Sequence, residues 1–119
     1  MLIPKNIEIF GKSIEVKNVR DLKDDAGAEL DGYCILQDQE IHLHSSLKGD
    51  FKNVIFLHEC IHMILDSSGH EKESKNETFV RTLSEGLYQV IKQTTMKSKK
   101  KNAKARKKTV HRSSSKNNQ

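Results

Sequence analysis

The chain has 119 residues, 21 of them Lys or Arg, 16 Asp or Glu and two Cys. That length allows one small domain. No run of 18 apolar residues is available to span a membrane, Met1-Leu2-Ile3-Pro4-Lys5 lacks the apolar core of a signal peptide, and two cysteines make no disulfide framework. Ten of the basic residues and no acidic ones lie from Lys97 onward, and setting those ten aside leaves eleven basic against sixteen acidic side chains, a net of −5, in residues 1–96. The basic balance thus belongs to a tail over 97–119 and not to the domain over 1–96, and a cytoplasmic location is expected.

Ile7-Glu8-Ile9-Phe10 and Ser13-Ile14-Glu15-Val16-Lys17 alternate apolar and polar residues about Gly11-Lys12, which predicts a β-hairpin on a glycine-led two-residue turn. Val19 to Leu30 is acidic and irregular, with a break at Gly27 and room for a helical turn at 19–23. Asp31–Leu36 and Gln39–His44 read as two further strands with a tight turn at Gln37–Gln39. His42 and His44 share one face of their strand and Ile41 and Leu43 take the other. A solvated strand face is the plain reading of those histidines; a place beside a metal is the alternative.

Ser45 to Asp50 is a loop, with Asp50 as helix cap. A helix over Phe51–Leu65 follows, ended by Asp66-Ser67-Ser68-Gly69, where Gly69 suits the left-handed C-terminal position. Lys72 to Asn76 is too charged for core. A second helix over Glu77–Thr94 brings Phe79, Val80, Leu83, Leu87, Val90 and Ile91 onto one stripe, expected to be buried against the first helix. Beyond Met96 the chain is rich in Lys, Ser and Asn and is expected to be disordered.

The chemistry is concentrated in Asn53–Leu65, which contains His58-Glu59-Cys60-Ile61-His62. Residues four apart on a helix lie nearly one above the other, so His58 and His62 present their rings side by side, as two nitrogen ligands of a tetrahedral Zn²⁺ require. Glu59 projects about 100° further round, within reach of a water beside the metal and placed to accept its proton. The rest of the helix is apolar over most of its circumference, which predicts a central helix with these polar groups at the floor of a cleft. The competing reading is a His/Glu patch hydrogen-bonded at the edge of a core helix. Cys60 points away from the histidines, and both it and Cys34 read as small buried hydrophobes.

A catalytic zinc site takes three protein ligands and keeps one position open. Glu77 stands at the start of the second helix, which can fold back to aim it at the metal. His70, Glu71 and Glu73 are the other candidates for the third ligand.

The motif at His58, Glu59 and His62, followed by a helix opening Glu77-Thr78-Phe79-Val80-Arg81-Thr82-Leu83, resembles the small zincin-type metallopeptidases of phages and mobile elements, similar to ImmA/IrrE and SprT-like domains. The resemblance covers about residues 7–95. It implies zinc on His58, His62 and Glu77 with Glu59 activating water for peptide-bond hydrolysis. It also implies that a protein or peptide substrate lies along an edge strand at 39–44. SprT-type proteins often use a third histidine instead, and, unlike a complete thermolysin-like enzyme, these 119 residues are expected to form no second lobe over the cleft. His42, His44 and Tyr88 are candidate oxyanion donors.

The expected architecture is α+β: a small antiparallel sheet of three to four strands packed with the motif helix and a second, C-terminal helix. The expected function is zinc-dependent peptide-bond hydrolysis. The alternatives are a proteolytically silent metal-binding module recognising a protein partner or nucleic acid, and a structural phage protein whose motif is accidental. The tail over 97–119 would bind nucleic acid through phosphates, without sequence preference because no aromatics are interleaved to stack bases. It would otherwise serve as a solvated tail or dock on the domain's own acidic surface.

Overall fold

The computed structural model describes residues 1–105, with side chains through Thr95. Four strands, β1 (Asn6–Ile9), β2 (Lys12–Val19), β3 (Gly32–Ile35) and β4 (Glu40–His44), precede three helices, α1 (Gly49–Ser67), α2 (Glu71–Ser74) and α3 (Glu77–Ala105). The chain divides into two compact units, Met1–Tyr88 and Gln89–Gln119. The first holds the sheet, α1, α2 and the opening turns of α3; the described part of the second is helical. No helix among the described residues is long and apolar enough to cross a membrane. Residues 106–119, the remainder of the expected disordered tail, lie outside the described residues, whereas 97–105 continue α3 beyond its expected end at Thr94.

The sheet is mixed, with order β1-β2-β4-β3, and not antiparallel throughout as expected: β1–β2 and β3–β4 are antiparallel, but β2 and β4 run parallel. The hairpin is present with its turn one residue earlier than expected, at Phe10-Gly11. There φ is +51° and +80°, the two positive values of a type I′ turn, and Ile9 faces Lys12. Residues 19–23 form no helical turn; Val19 completes β2, and the following loop is held by Asp24 Oδ1, which accepts from the backbone N–H of Ala26 and Ala28 at 2.9 Å each.

The parallel pairing moves β4 into the sheet's interior. The edge strand expected at 39–44 is therefore paired on both sides, by β2 and β3, and has no free backbone edge for a peptide. The free edge beside α1 belongs to β3. His44 N donates to Asp31 O at 2.8 Å, so by alternation Asp31, Tyr33 and Ile35 turn their backbone groups toward β4, while Gly32 and Cys34 turn theirs outward.

One face of the sheet packs under α1. Ile14, Val16, Ile41 and Leu43 meet Phe56, Cys60 and Met63, residues spaced four and three apart on the helix. The opposite face is polar. There Glu40 accepts from His42 Nε2 at 2.8 Å and Lys17 Nζ at 3.0 Å, contacts that hold its carboxyl below the usual range. α1 runs to Ser67, two residues past its expected end at Leu65, but Gly69 takes the left-handed position as expected: its φ is +81°, and His70 N donates to Leu65 O at 2.8 Å, the long bond of a Schellman motif. Its start differs, because the N-cap is Lys48, without a side-chain bond, and Asp50 lies in the first turn. Asp50 Oδ1 instead accepts from Tyr88 Oη at 2.7 Å.

The apolar stripe of α3 divides. Val80 and Tyr88 are buried, together with Ser84, whereas Phe79, Leu83, Leu87 and Val90 are exposed. The residues that face inward are four apart, Val80-Ser84-Tyr88. The inward line runs through a serine that hydropathy alone does not single out.

Candidate metal centre

His58 and His62 rise one turn apart from the middle of α1, and Glu77 reaches them from the first turn of α3. The placement of Glu77 is local chemistry. Asn76 Oδ1 accepts from Phe79 N at 3.1 Å, and Asn76 O accepts from Val80 N at 3.1 Å, so Asn76 caps α3 and makes the next residue its first helical position.

The distances among the three side chains are decisive. His58 Nε2 and His62 Nε2 are 3.2 Å apart, and Glu77 Oε1 lies 3.0 Å from the first and 3.3 Å from the second. In a tetrahedron with metal–ligand bonds of about 2.0–2.1 Å the edges are about 3.3 Å, so this triangle has the size of three ligands around one ion. As hydrogen bonding the arrangement is poor, because two ring nitrogens converge on one oxygen and on each other and one proton cannot serve all three contacts. Among the described residues this is the one group of three His, Cys, Asp or Glu side chains placed to hold a metal ion. The remaining candidates for third ligand stand elsewhere: His70 Nδ1 pairs with Ser68 Oγ at 3.0 Å, and Glu71 and Glu73 are exposed on α2.

The triangle lies on the wall of an open cleft of about 850 Å³. α1 contributes Val54, Ile55, His58, Glu59 and His62; β3 contributes Gly32 to Cys34; and α3 contributes Glu77, Arg81 and Ser84. Glu59 is 7% exposed. Burial raises its pKa to about 7, against a lowering hydrogen bond from the Cys34 thiol; the charge of Glu77 adds to the rise. The His58 ring is held below the usual imidazole range, first by burial and then by the neighbouring His62. That favours the neutral ring, which is the form that ligates. His62 Nδ1, on the far side of its ring, meets Ser74 Oγ at 2.9 Å.

Gly32 explains how β3 comes so close. A Cβ there would stand 2.7 Å from Ile55 Cγ2 and 3.0 Å from Glu59 Oε2, so only glycine lets the strand pass against the buried carboxylate.

His42 and His44, considered as neighbours of the metal or as oxyanion donors, are on the opposite face of the sheet, bonded to Glu40 and Ser46 respectively. Tyr88 is also removed from that role: its hydroxyl is spent on Asp50 and Asn53, and the residue is absent from the cleft lining. Three residues to which the sequence reading gave no role at the site do stand there: Ser74, Arg81 and Cys34, the last read as a buried hydrophobe but half-buried in the cleft wall. Arg81 follows Glu77 by four residues on α3, a spacing that could have indicated it. Nothing in the pattern around Ser74 or Cys34 distinguishes them from surface serine or core cysteine.

No protein-family model, curated protein or solved structure matches this chain.

Proposed function

We propose that this chain is a zinc-dependent peptidase of the zincin type, acting on a protein or peptide substrate in the cytoplasm. The observation that carries the reading is the convergence of His58, His62 and Glu77 at ligand spacing, on the wall of a cleft that also receives the carboxylate of Glu59. Nitrogen and carboxylate donors in a small triangle suit Zn²⁺, and such a centre with three protein ligands keeps a position open for chemistry. Zinc, when bound, supplies Lewis acidity at that position.

The chain's own residues account for the remaining roles. Glu59 takes a proton from the attacking water and returns it to the leaving amine. Burial holds its carboxyl up in the metal-free protein, and a pKa near the working pH suits a group that both takes and returns a proton. Arg81 brings positive charge to the cleft wall, where the carbonyl oxygen of the substrate would gain negative charge. The outward backbone groups of Gly32 and Cys34 give an extended peptide a strand to pair with directly beside Glu59.

The test uses the full chain with zinc and a library of unstructured peptides. Hydrolysis should fall on the order of 10²–10⁴-fold in Glu59→Gln with zinc content unchanged, and His58→Ala should lose the metal. Full activity in Glu59→Gln would refute the mechanism. Zinc held at one per chain with no cleavage of any peptide would instead favour the silent binding module.

A further inference from the structure

α2 contributes no ligand, yet its last residue, Ser74, is 6% exposed in a segment whose neighbours are open to water. Its hydroxyl oxygen lies 2.9 Å from His62 Nδ1, whereas His62 Nε2 is the ring atom that faces His58 and Glu77. An imidazole that presents the Nε2 lone pair to a cation carries its proton on Nδ1, and where water is excluded that N–H needs an acceptor. The buried hydroxyl oxygen is in position to be that acceptor.

We propose that Ser74 is a positioning residue for His62: it accepts the Nδ1–H, selects the tautomer with Nε2 free, and fixes the plane of the ring toward the cluster. This inference rests on reading His58, His62 and Glu77 as a metal centre. The backbone supports it. Ser74 N donates to His70 O at 3.0 Å and Lys75 N to Glu71 O at 3.1 Å, so the short helix holds the Ser74 Cα in place. Two residues later Asn76 caps α3 and the next residue is Glu77. The stretch 74–77 thus braces one ligand from behind and delivers another. A serine also adds no negative charge to the ring, unlike the carboxylate partner common behind metal-bound histidines, so the ring donates less electron density and a bound ion keeps more Lewis acidity.

The experiment measures Zn²⁺ affinity of the full chain by competition with a chromophoric chelator, for wild type, Ser74→Ala and Ser74→Thr. Folding of each metal-free protein is checked by circular dichroism. Ser74→Ala should bind zinc about 10–100-fold more weakly, and Ser74→Thr, which keeps the hydroxyl, should restore most of the loss. Equal affinity in wild type and Ser74→Ala would overturn the assignment. Long-range ¹H–¹⁵N spectra of zinc-loaded wild type give an answer that needs no variant. A proton on His62 Nδ1 with metal at Nε2 is expected, and the reverse arrangement overturns the proposal. If wild type takes up no zinc, the metal centre itself falls, a result distinct from unchanged affinity in Ser74→Ala.

Discussion

Glu59 is held between two contacts that only its neighbours on β3 can make: Gly32, which leaves room for the carboxylate, and Cys34, whose thiol donates to it. Gly32→Ala is therefore expected to cost about 1–3 kcal/mol through overpacking. On the proposed function it should also reduce peptide hydrolysis more than zinc affinity, because the added methyl meets Glu59 and none of His58, His62 and Glu77; denaturant melts, peptide cleavage and chelator competition on one preparation check this. The raised pKa of Glu59 has a defined sign. Its carboxyl holds a proton more tightly in the folded metal-free protein than when unfolded, so this contribution to stability is full below about pH 4.5 and lost as pH rises through about 7. The shift corresponds to roughly 3 kcal/mol. His58 acts oppositely, since its lowered pKa makes the folded state stabler as pH rises toward the ordinary 6.5. Comparing metal-free wild type with Glu59→Gln across pH 4–8 separates the two, and the downward component should vanish in the variant.

At the scale of elements, α3 is joined to α1 by polar contacts at two places. Glu77 meets His58 and His62 near its start, and three turns later Tyr88 Oη donates to Asp50 and accepts from Asn53 Nδ2 at 3.0 Å. Between them Val80 and Ser84 are fully buried. The small serine allows a close approach without filling the cleft. The cap at Asn76 controls the first of these junctions, so Asn76→Ala should cost about 1 kcal/mol of stability and weaken zinc binding by letting the first turn of α3 fray. Asn76→Asp, which keeps a capping oxygen, should retain both, as measured by thermal melts with and without zinc.

For the whole molecule, the sheet, α1 and Leu47 in the loop between them share a core of eight buried side chains among the described residues, a modest one for a chain of this length. His58 and His62 on α1 and Glu77 on α3 could hold one ion between them, and on the proposed reading metal binding would cross-link the two helices, which the unfolded chain cannot reproduce. Zinc at 100 times its dissociation constant should therefore add about 2.7 kcal/mol, raising the melting temperature by about 10–20 °C. A chelator should reverse the gain, and His62→Ala should abolish it. The net negative charge of residues 1–96 beside a strongly basic 97–119 makes the salt dependence of any nucleic-acid binding a property of the tail.

What the sequence determined by itself is what short-range geometry dictates. Two histidines four apart on an apolar helix must share a face, a glycine after a polar run ends that helix, and alternation about Gly11 makes a hairpin, because these follow from the helical and strand periods and from φ sign at single residues. The candidates for a third ligand were narrowed to four residues within one segment; that Glu77, and not the other three, stands beside both histidines depended on how two helices pack. The tertiary structure alone decided that β4 is interior and β3 carries the free edge, because strand order depends on which distant segments pair. It alone turned Phe79, Leu83 and Leu87 outward and Ser84 inward, and it brought Ser74, Cys34 and Arg81 to the site. Their roles come from what lies across the gap from them, and no periodicity along the chain encodes that.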